Sequence, residues 1–160
     1  MSSLKMLRVA VAFLVAGATG MDQPAGSGNG AADEVIRITK AHWAAEMQKN
    51  AAAAMKNIAD DYTEFNGDYA TRVEGKELSK RFMEADLSAS GKLVAAEMLN
   101  PKVQVYGEVA ILSYNYAGVT QDKDGKNEAT RAKSTRVYVK QKGNWMLVHA
   151  NFAPDPKPKD

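Results

Sequence analysis

The sequence predicts an α+β fold in which three N-terminal helices cover one face of a curved antiparallel sheet of long strands. Apolar residues recur at helical spacing in the first half of the chain. From Lys92 onward, four long runs rich in β-branched and aromatic residues follow one another. Long strands in such a sheet curl, so the sheet and helices together form a cone with a central pocket.

Three segments have the apolar spacing of helices. The first extends from Ala32 to Asn50, with Asp33 as its N-cap and Trp43 on its buried face. Asn50 can cap a second, alanine-rich helix that follows directly. The third helix extends from Lys76 to Leu87.

One short strand is predicted ahead of the third helix, at Tyr62–Asn66. Four long strands follow that helix, and they are connected by short turns of Gly, Asp, Glu, Asn and Lys that are typical of hairpins. They span Lys92–Tyr106, Val109–Gln121, Asn127–Gln141 and Asn144–Ala153.

The chain of 160 residues is the size of one domain, and it begins with the pattern of an export leader. Lys5 and Arg8 precede a short apolar run that ends in small residues around Ala18. This predicts a signal peptide at 1–18, a flexible linker at 19–31, one domain at 32–154 and a Pro/Lys-rich tail at 155–160. The expected location is periplasmic or secreted, as in bacteria, with no membrane contact after cleavage. The alternative is an uncleaved N-terminal anchor.

Composition argues against several functional classes. The chain has no cysteine, which excludes disulfides, thiol catalysis and thiolate metal sites. Its two histidines, His42 and His149, have no metal-ligand pattern near them, so we predict no metal and no cofactor. The formal net charge is +2, and no basic run with interleaved aromatic residues occurs, which argues against nucleic-acid binding.

Four short motifs occur in register after the predicted helices: Asn100–Gly107, Ala110–Tyr114, Thr135–Tyr138, and Gly143-Asn144-Trp145 with Val148-His149. Together they resemble the nuclear transport factor 2-like superfamily, and within it the SnoaL-like proteins and the association domain of calcium/calmodulin-dependent kinase II. The resemblance covers Ala32 to Pro154. It implies a cystatin-like α+β barrel with a conical pocket, and a homodimer formed by sheet faces. It does not imply one chemistry, because the superfamily contains enzymes, binding modules and assembly hubs.

Arg136 is the first candidate for a ligand contact. On a strand it shares a face with Ser134 and Tyr138, and a guanidinium in a cavity can hold an anion through two hydrogen bonds. The resemblance implies that the matching Arg of the kinase association domain points into the pocket and suits carboxylates. The family's second pocket Arg corresponds to Tyr116. The alternative is an Arg paired with an internal acid, or a charge on the rim.

His149 and Asn151 stand where the family often has two alternating histidines, so a His-x-His metal pair is absent. His149 can act as a base near neutral pH, or it can contribute a hydrogen bond to the pocket wall. Asp61, just ahead of the first predicted strand, is the best acid for an enzyme, although acids at such positions usually serve turns and caps.

The sequence therefore predicts an exported domain that binds a small organic molecule, anionic or aromatic, and forms a homodimer without catalysis. The predicted ligand-binding residues are Trp43, Tyr114, Tyr116, Arg136, Tyr138, His149 and Asn151. One alternative is a pocket enzyme of isomerase, dehydratase or hydrolase type that uses Asp61 or His149 as base and Tyr116 or Tyr138 as proton donor. A second alternative is a protein-interaction or assembly module.

Overall fold

The computed structural model describes residues 25–89 and 91–155. Its helices are α1 (Ala25–Met47), α2 (Ala51–Ala54) and α3 (Lys76–Ala89), with a 3-10 turn at Met55–Asn57. Its strands are β1 (Ile58–Asn66), β2 (Val73–Glu74), β3 (Lys92–Tyr106), β4 (Val109–Gln121), β5 (Asn127–Gln141) and β6 (Asn144–Pro154). The predicted bounds of β3, β4 and β5 are confirmed.

The six strands form one curved, unclosed sheet in the order β2-β1-β6-β5-β4-β3. The predicted α+β fold is confirmed. All neighbouring strands are antiparallel except β1 and β6, which run parallel. A parallel pair needs a long crossover, and here α3 and the whole β3–β5 meander form that connection.

The first helix is longer than predicted at its start, because it begins at Ala25 and not at Ala32. Residues 25–31 of the predicted linker therefore belong to α1. Once Val35 and Ile38 anchor the helix in the core, each added residue completes one more backbone hydrogen bond. The cost of a glycine, about 1 kcal/mol relative to alanine, does not stop this extension.

The second helix begins as predicted, with the Asn50 side-chain oxygen accepting the Ala53 N–H at 3.0 Å. It is short, and β1 begins at Ile58 and not at Tyr62. Asp60 and Asp61 therefore lie within the strand and not ahead of it, where both side chains are exposed.

The core lies between α1 and the concave face of the sheet. Val35, Ile38 and Trp43 of α1 pack with Leu112 of β4 and Leu147 of β6, and all five are buried. The predicted leader at 1–18, the first part of the linker and the end of the tail lie outside the described residues. In the part that the structure describes, no helix is long and apolar enough to cross a membrane.

Candidate functional site

A cavity of about 270 Å³ opens between the helices and the concave sheet face. Its deep wall is aromatic and buried, with one charged group, Arg136, set into it. This wall is formed by Trp43, Tyr62, Tyr114, Tyr116, Arg136 and Phe152. The more exposed end is polar and is formed by Glu64, Asn66, Tyr69 and Asp86. The cavity therefore offers an apolar body and two chemically different ends.

Arg136 is 4% exposed, and its Nε donates a hydrogen bond to the Tyr114 hydroxyl at 3.0 Å. The carbon at the centre of its guanidinium lies 5.3 Å from the centre of the Phe152 ring. Burial lowers the pKa of Arg136, but the hydroxyls of the neighbouring tyrosines raise it by more. Among the described residues, no carboxylate lies within ion-pair distance of Arg136. The charge is buried without a direct acidic partner.

Trp43 joins α1 to the aromatic wall. Its ring meets Tyr114 and Tyr116 edge to face, with ring centres 5.6 and 5.4 Å apart. Burial, with the nearby Glu46 carboxylate, raises the pKa of Tyr116 to about 12. Tyr116 therefore presents a neutral hydroxyl at physiological pH where the resemblance implies a second arginine.

Glu46 and His42 form a charged pair at the cavity wall. The His42 Nδ1 lies 3.0 Å from the Ala54 carbonyl oxygen, and its Nε2 lies 3.1 Å from a Glu46 carboxylate oxygen. A carbonyl only accepts, so Nδ1 must donate, and a carboxylate also requires a donor from Nε2. Burial raises the pKa of Glu46, but the His42 hydrogen bond and the charges of His42 and Arg136 lower it by more. Both ring nitrogens of His42 therefore face oxygen atoms, and Glu46 is held as a carboxylate beside the ring.

Glu64 is a cavity residue that sequence reasoning missed. Its two carboxylate oxygens accept hydrogen bonds from the Tyr62 hydroxyl at 2.7 Å and from the Asn66 side-chain amide at 3.0 Å. Tyr62, Glu64 and Asn66 alternate along β1 on the concave side, and all three line the cavity. This alternation lies within the predicted strand Tyr62–Asn66, and it is the sequence signal that could have placed Glu64 beside Tyr62 in the cavity wall.

Tyr138 is buried but does not line this cavity. The Thr39 hydroxyl donates to the Val35 carbonyl at 2.8 Å, so Thr39 has no second proton to give. The Tyr138 hydroxyl therefore donates to Thr39, 2.7 Å away. Tyr138 lines a smaller cavity of about 110 Å³ next to α1 and α2.

His149 and Asn151, predicted as pocket residues, do not line either of these cavities. Val137 pairs with His149 and Tyr138 pairs with Leu147, so Val148 has no partner on β5. This β-bulge inserts one residue and reverses the faces of all residues after it. The His149 Nδ1 instead lies 2.9 Å from the Thr63 hydroxyl.

The bulge places two other side chains in the predicted positions. Ala150 pairs with Arg136 and Phe152 pairs with Ser134, so both share the concave face with Arg136. Phe152 lines the main cavity from β6, where His149 and Asn151 were expected to line it. Asp61, predicted as a candidate base, is exposed on β1 and lines neither cavity.

Metal coordination has no basis in the described ranges 25–89 and 91–155, where no group of three or more His, Asp or Glu side chains could hold an ion. The deep wall can instead bind through hydrogen bonds and apolar contact. A buried guanidinium, neutral tyrosine hydroxyls and aromatic rings suit a small organic acid.

Residues 31–156 match the family model of the calcium/calmodulin dependent protein kinase II association domain. This chain belongs to that family. A segment of 85 residues is 31% identical to the calcium/calmodulin-dependent protein kinase type II subunit delta of Oryctolagus cuniculus. It covers 52% of this chain and 16% of that kinase subunit. The chain thus corresponds to a small part of the kinase.

Solved structures agree with this assignment at the level of the fold. The association domain of the C. elegans kinase has a TM-score of 0.66 at 21% identity, covering 79% of this chain and 98% of that chain. A nuclear transport factor 2-like superfamily protein from Salmonella enterica has a TM-score of 0.71 at 14% identity, covering 82% of this chain and 95% of that chain. The superfamily resemblance of the sequence motifs is confirmed.

Proposed function

We propose that this association domain is an exported, non-catalytic module that binds a small organic acid in its main cavity and pairs with a second copy through its sheet. The observation that carries the ligand proposal is Arg136, a buried guanidinium in a cavity wall with no carboxylate at ion-pair distance among the described residues. Burying a charge is costly unless it is paired, and a ligand carboxylate would provide the pair.

The other charges of the cavity favour one orientation of such a ligand. Glu46 is paired with His42, whereas Glu64 and Asp86 lie toward the exposed end. A carboxylate near Arg136 would be separated from these two acids by the aromatic body of the ligand. The far end of the ligand would then carry a hydrogen-bond donor, because carboxylates only accept.

The ligand proposal is tested by calorimetric titration with phenylacetate and with phenylacetamide, its neutral counterpart of nearly the same shape. Phenylacetate should bind and the amide should not. Arg136→Met should weaken phenylacetate binding about 10- to 100-fold, since charge-assisted hydrogen bonds contribute about 1.5–3 kcal/mol. Arg81→Gln, on the exposed side of α3, is the matched control and should bind as the parent does. Equal binding of acid and amide, or an Arg136→Met variant with parental affinity, contradicts the proposal.

The convex face of the sheet supports self-association. Two rows of side chains alternate with the buried ones and therefore point away from the helices. Tyr106, Val109, Val139 and Met146 form one row, and Gln104, Ile111, Val137 and His149 form the next. Most of them are apolar, and Tyr106 is 60% exposed. An apolar convex face of this kind marks an interaction site.

Light scattering after size exclusion tests the self-association. The parent should have at least twice the monomer mass, and Ile111→Lys should be monomeric, because a charge in an apolar interface is desolvated without a partner. Lys133→Gln, an exposed substitution on the same strand as Val137, is the control. A parent that stays monomeric at all concentrations contradicts this part of the proposal and leaves the ligand part standing.

The enzyme alternative loses its predicted bases, since Asp61 and His149 lie outside both cavities, whereas its predicted proton donors, Tyr116 and Tyr138, each line one of them. Export is supported by the leader pattern alone: Lys5, Arg8 and the apolar run after them. N-terminal sequencing of protein recovered from the periplasm tests it. A mature N-terminus close to residue 19 is the expected result.

A further inference from the structure

The smaller cavity differs in charge from the main one, although the two share His42, Ile58 and Arg136. The main cavity is lined by three carboxylates, those of Glu46, Glu64 and Asp86. The smaller cavity has four basic side chains in its wall, Arg37, His42, Lys56 and Arg136. None of the residues that line it in the described part of the chain is Asp or Glu.

The acids closest to this basic wall do not neutralise it. Glu46 is paired with His42, at 3.1 Å. Glu34 lies 4.0 Å from Arg37, and these two side chains are 41% and 70% exposed, so that pair is weak. Lys56 and Arg136 have no acidic partner within ion-pair distance among the described residues. About two positive charges therefore remain uncompensated around a small enclosed space.

Two neutral polar groups of the wall have hydrogen-bond partners. The Asn57 amide donates to the Trp145 carbonyl at 3.2 Å, and the Tyr138 hydroxyl donates to Thr39. The cations of this wall only donate hydrogen bonds. An occupant that binds to them must therefore be an acceptor, and their positive charge favours an anion.

The size of the space limits the occupant further. At about 110 Å³ it is below the range of about 300–1,000 Å³ that is usual for drug-sized ligands. It has room for about three to four water molecules, given about 30 Å³ for each. An ion of about five heavy atoms fits this volume, and an aromatic acid does not.

We propose that the smaller cavity is a binding site for a small oxyanion, inorganic phosphate or a short carboxylate. Arg37 and Lys56 bind the ion from the exposed side, and Arg136 provides the positive charge at the buried end. The site adjoins the proposed site for an organic acid in the main cavity and shares Arg136 with it, whereas Arg37 and Lys56 line the smaller cavity alone.

Thermal-shift and calorimetric titrations with inorganic phosphate, and in parallel with acetate, test this site, with sodium chloride at equal ionic strength as the reference. Phosphate or acetate should raise the melting temperature above the chloride reference. The two arms distinguish a phosphate site from a carboxylate site. Arg37→Gln and Lys56→Gln should each weaken binding about fivefold, and the double variant about 25-fold.

Two controls separate the site from general charge effects and from the main cavity. Lys40→Gln removes an exposed cation of the same helix that lines neither cavity, and Glu64→Gln alters the main cavity alone. Both variants should bind the oxyanion as the parent does. If chloride stabilises the protein as much as phosphate and acetate do, the proposal is overturned. Parental binding by the Arg37→Gln/Lys56→Gln double variant overturns it equally.

Discussion

Strands β5 and β6 are neighbours in the sheet, yet their polar residues lie on opposite faces of it. On β5 the alternation is unbroken, so Ser134, Arg136 and Tyr138 all face the helices and are buried. On β6 one additional residue, Val148, interrupts the pairing, and His149 and Asn151 face away. A pattern of period two assigns faces only as far as the register is continuous.

Deleting one residue from each strand tests this comparison most severely. Val137 has a partner on both sides, and without it Arg136 and Tyr138 become neighbours and can no longer both face the helices. We expect a loss of more than about 4 kcal/mol in unfolding free energy, or no cooperative unfolding at all, because buried positions would exchange with exposed ones along β5. Urea unfolding followed by circular dichroism measures it. Deletion of Val148 is the control and should be much milder, because His149 then follows Leu147 in regular alternation and no later side chain changes face.

Replacing Trp43 by alanine tests the packing of the deep wall of the main cavity. The side chain is 5% exposed and contacts two tyrosine rings, so its removal leaves a cavity and should cost about 3–5 kcal/mol. Chemical denaturation provides the value. A loss below about 1 kcal/mol would show that the aromatic wall is not packed as described.

The Glu46–His42 pair predicts that the free energy of unfolding falls at acidic pH. The pKa of Glu46 is lowered on folding from 4.5, so its carboxylate contributes stability above that pH and loses it as the pH falls through the folded value. Glu46→Gln should cost about 1 kcal/mol at neutral pH, and it should lose less stability than the parent between about pH 5 and pH 3. Parallel acid dependences in the two proteins would contradict this assignment.

The outward residues should tolerate change. Asn151→Ala and Asp61→Asn alter exposed side chains that line neither cavity, so each should change the unfolding free energy by less than about 0.5 kcal/mol. Phenylacetate binding should also be unchanged. A large loss of binding in either variant would show that the substituted residue contacts the ligand, and it would contradict its assignment to the outward face.

Local chemistry explains why the strand ends could be predicted from sequence. The hairpin turns contain Gly107, Gly125 and Gly143 with φ of 61, 82 and 82°, a backbone region that glycine enters at little cost. Lys142 also has a positive φ, of 50°, which with Gly143 makes the tight β5–β6 turn. These signals lie within a few residues of the features that they determine.

The inward position of Phe152 could not be predicted in the same way. It depends on the irregularity at Val148 on β6. This irregularity is set by distant partners and not by local residue type. Arg136 shares a face with Ser134 and Tyr138, as predicted, because β5 has no such irregularity between its buried positions.

The parallel pairing of β1 with β6 has a consequence for the order of folding. Strands β3 to β6 can assemble through successive hairpins, but Thr63 and His149, which pair across β1 and β6, are 86 residues apart in the chain. Closing so long a loop is slow, and during synthesis it must wait until β6 has been made. Glu64 and Asn66 reach the main cavity only through this last pairing. A partly synthesised chain therefore has no complete cavity and cannot be stabilised by its ligand, which acts only on the finished fold.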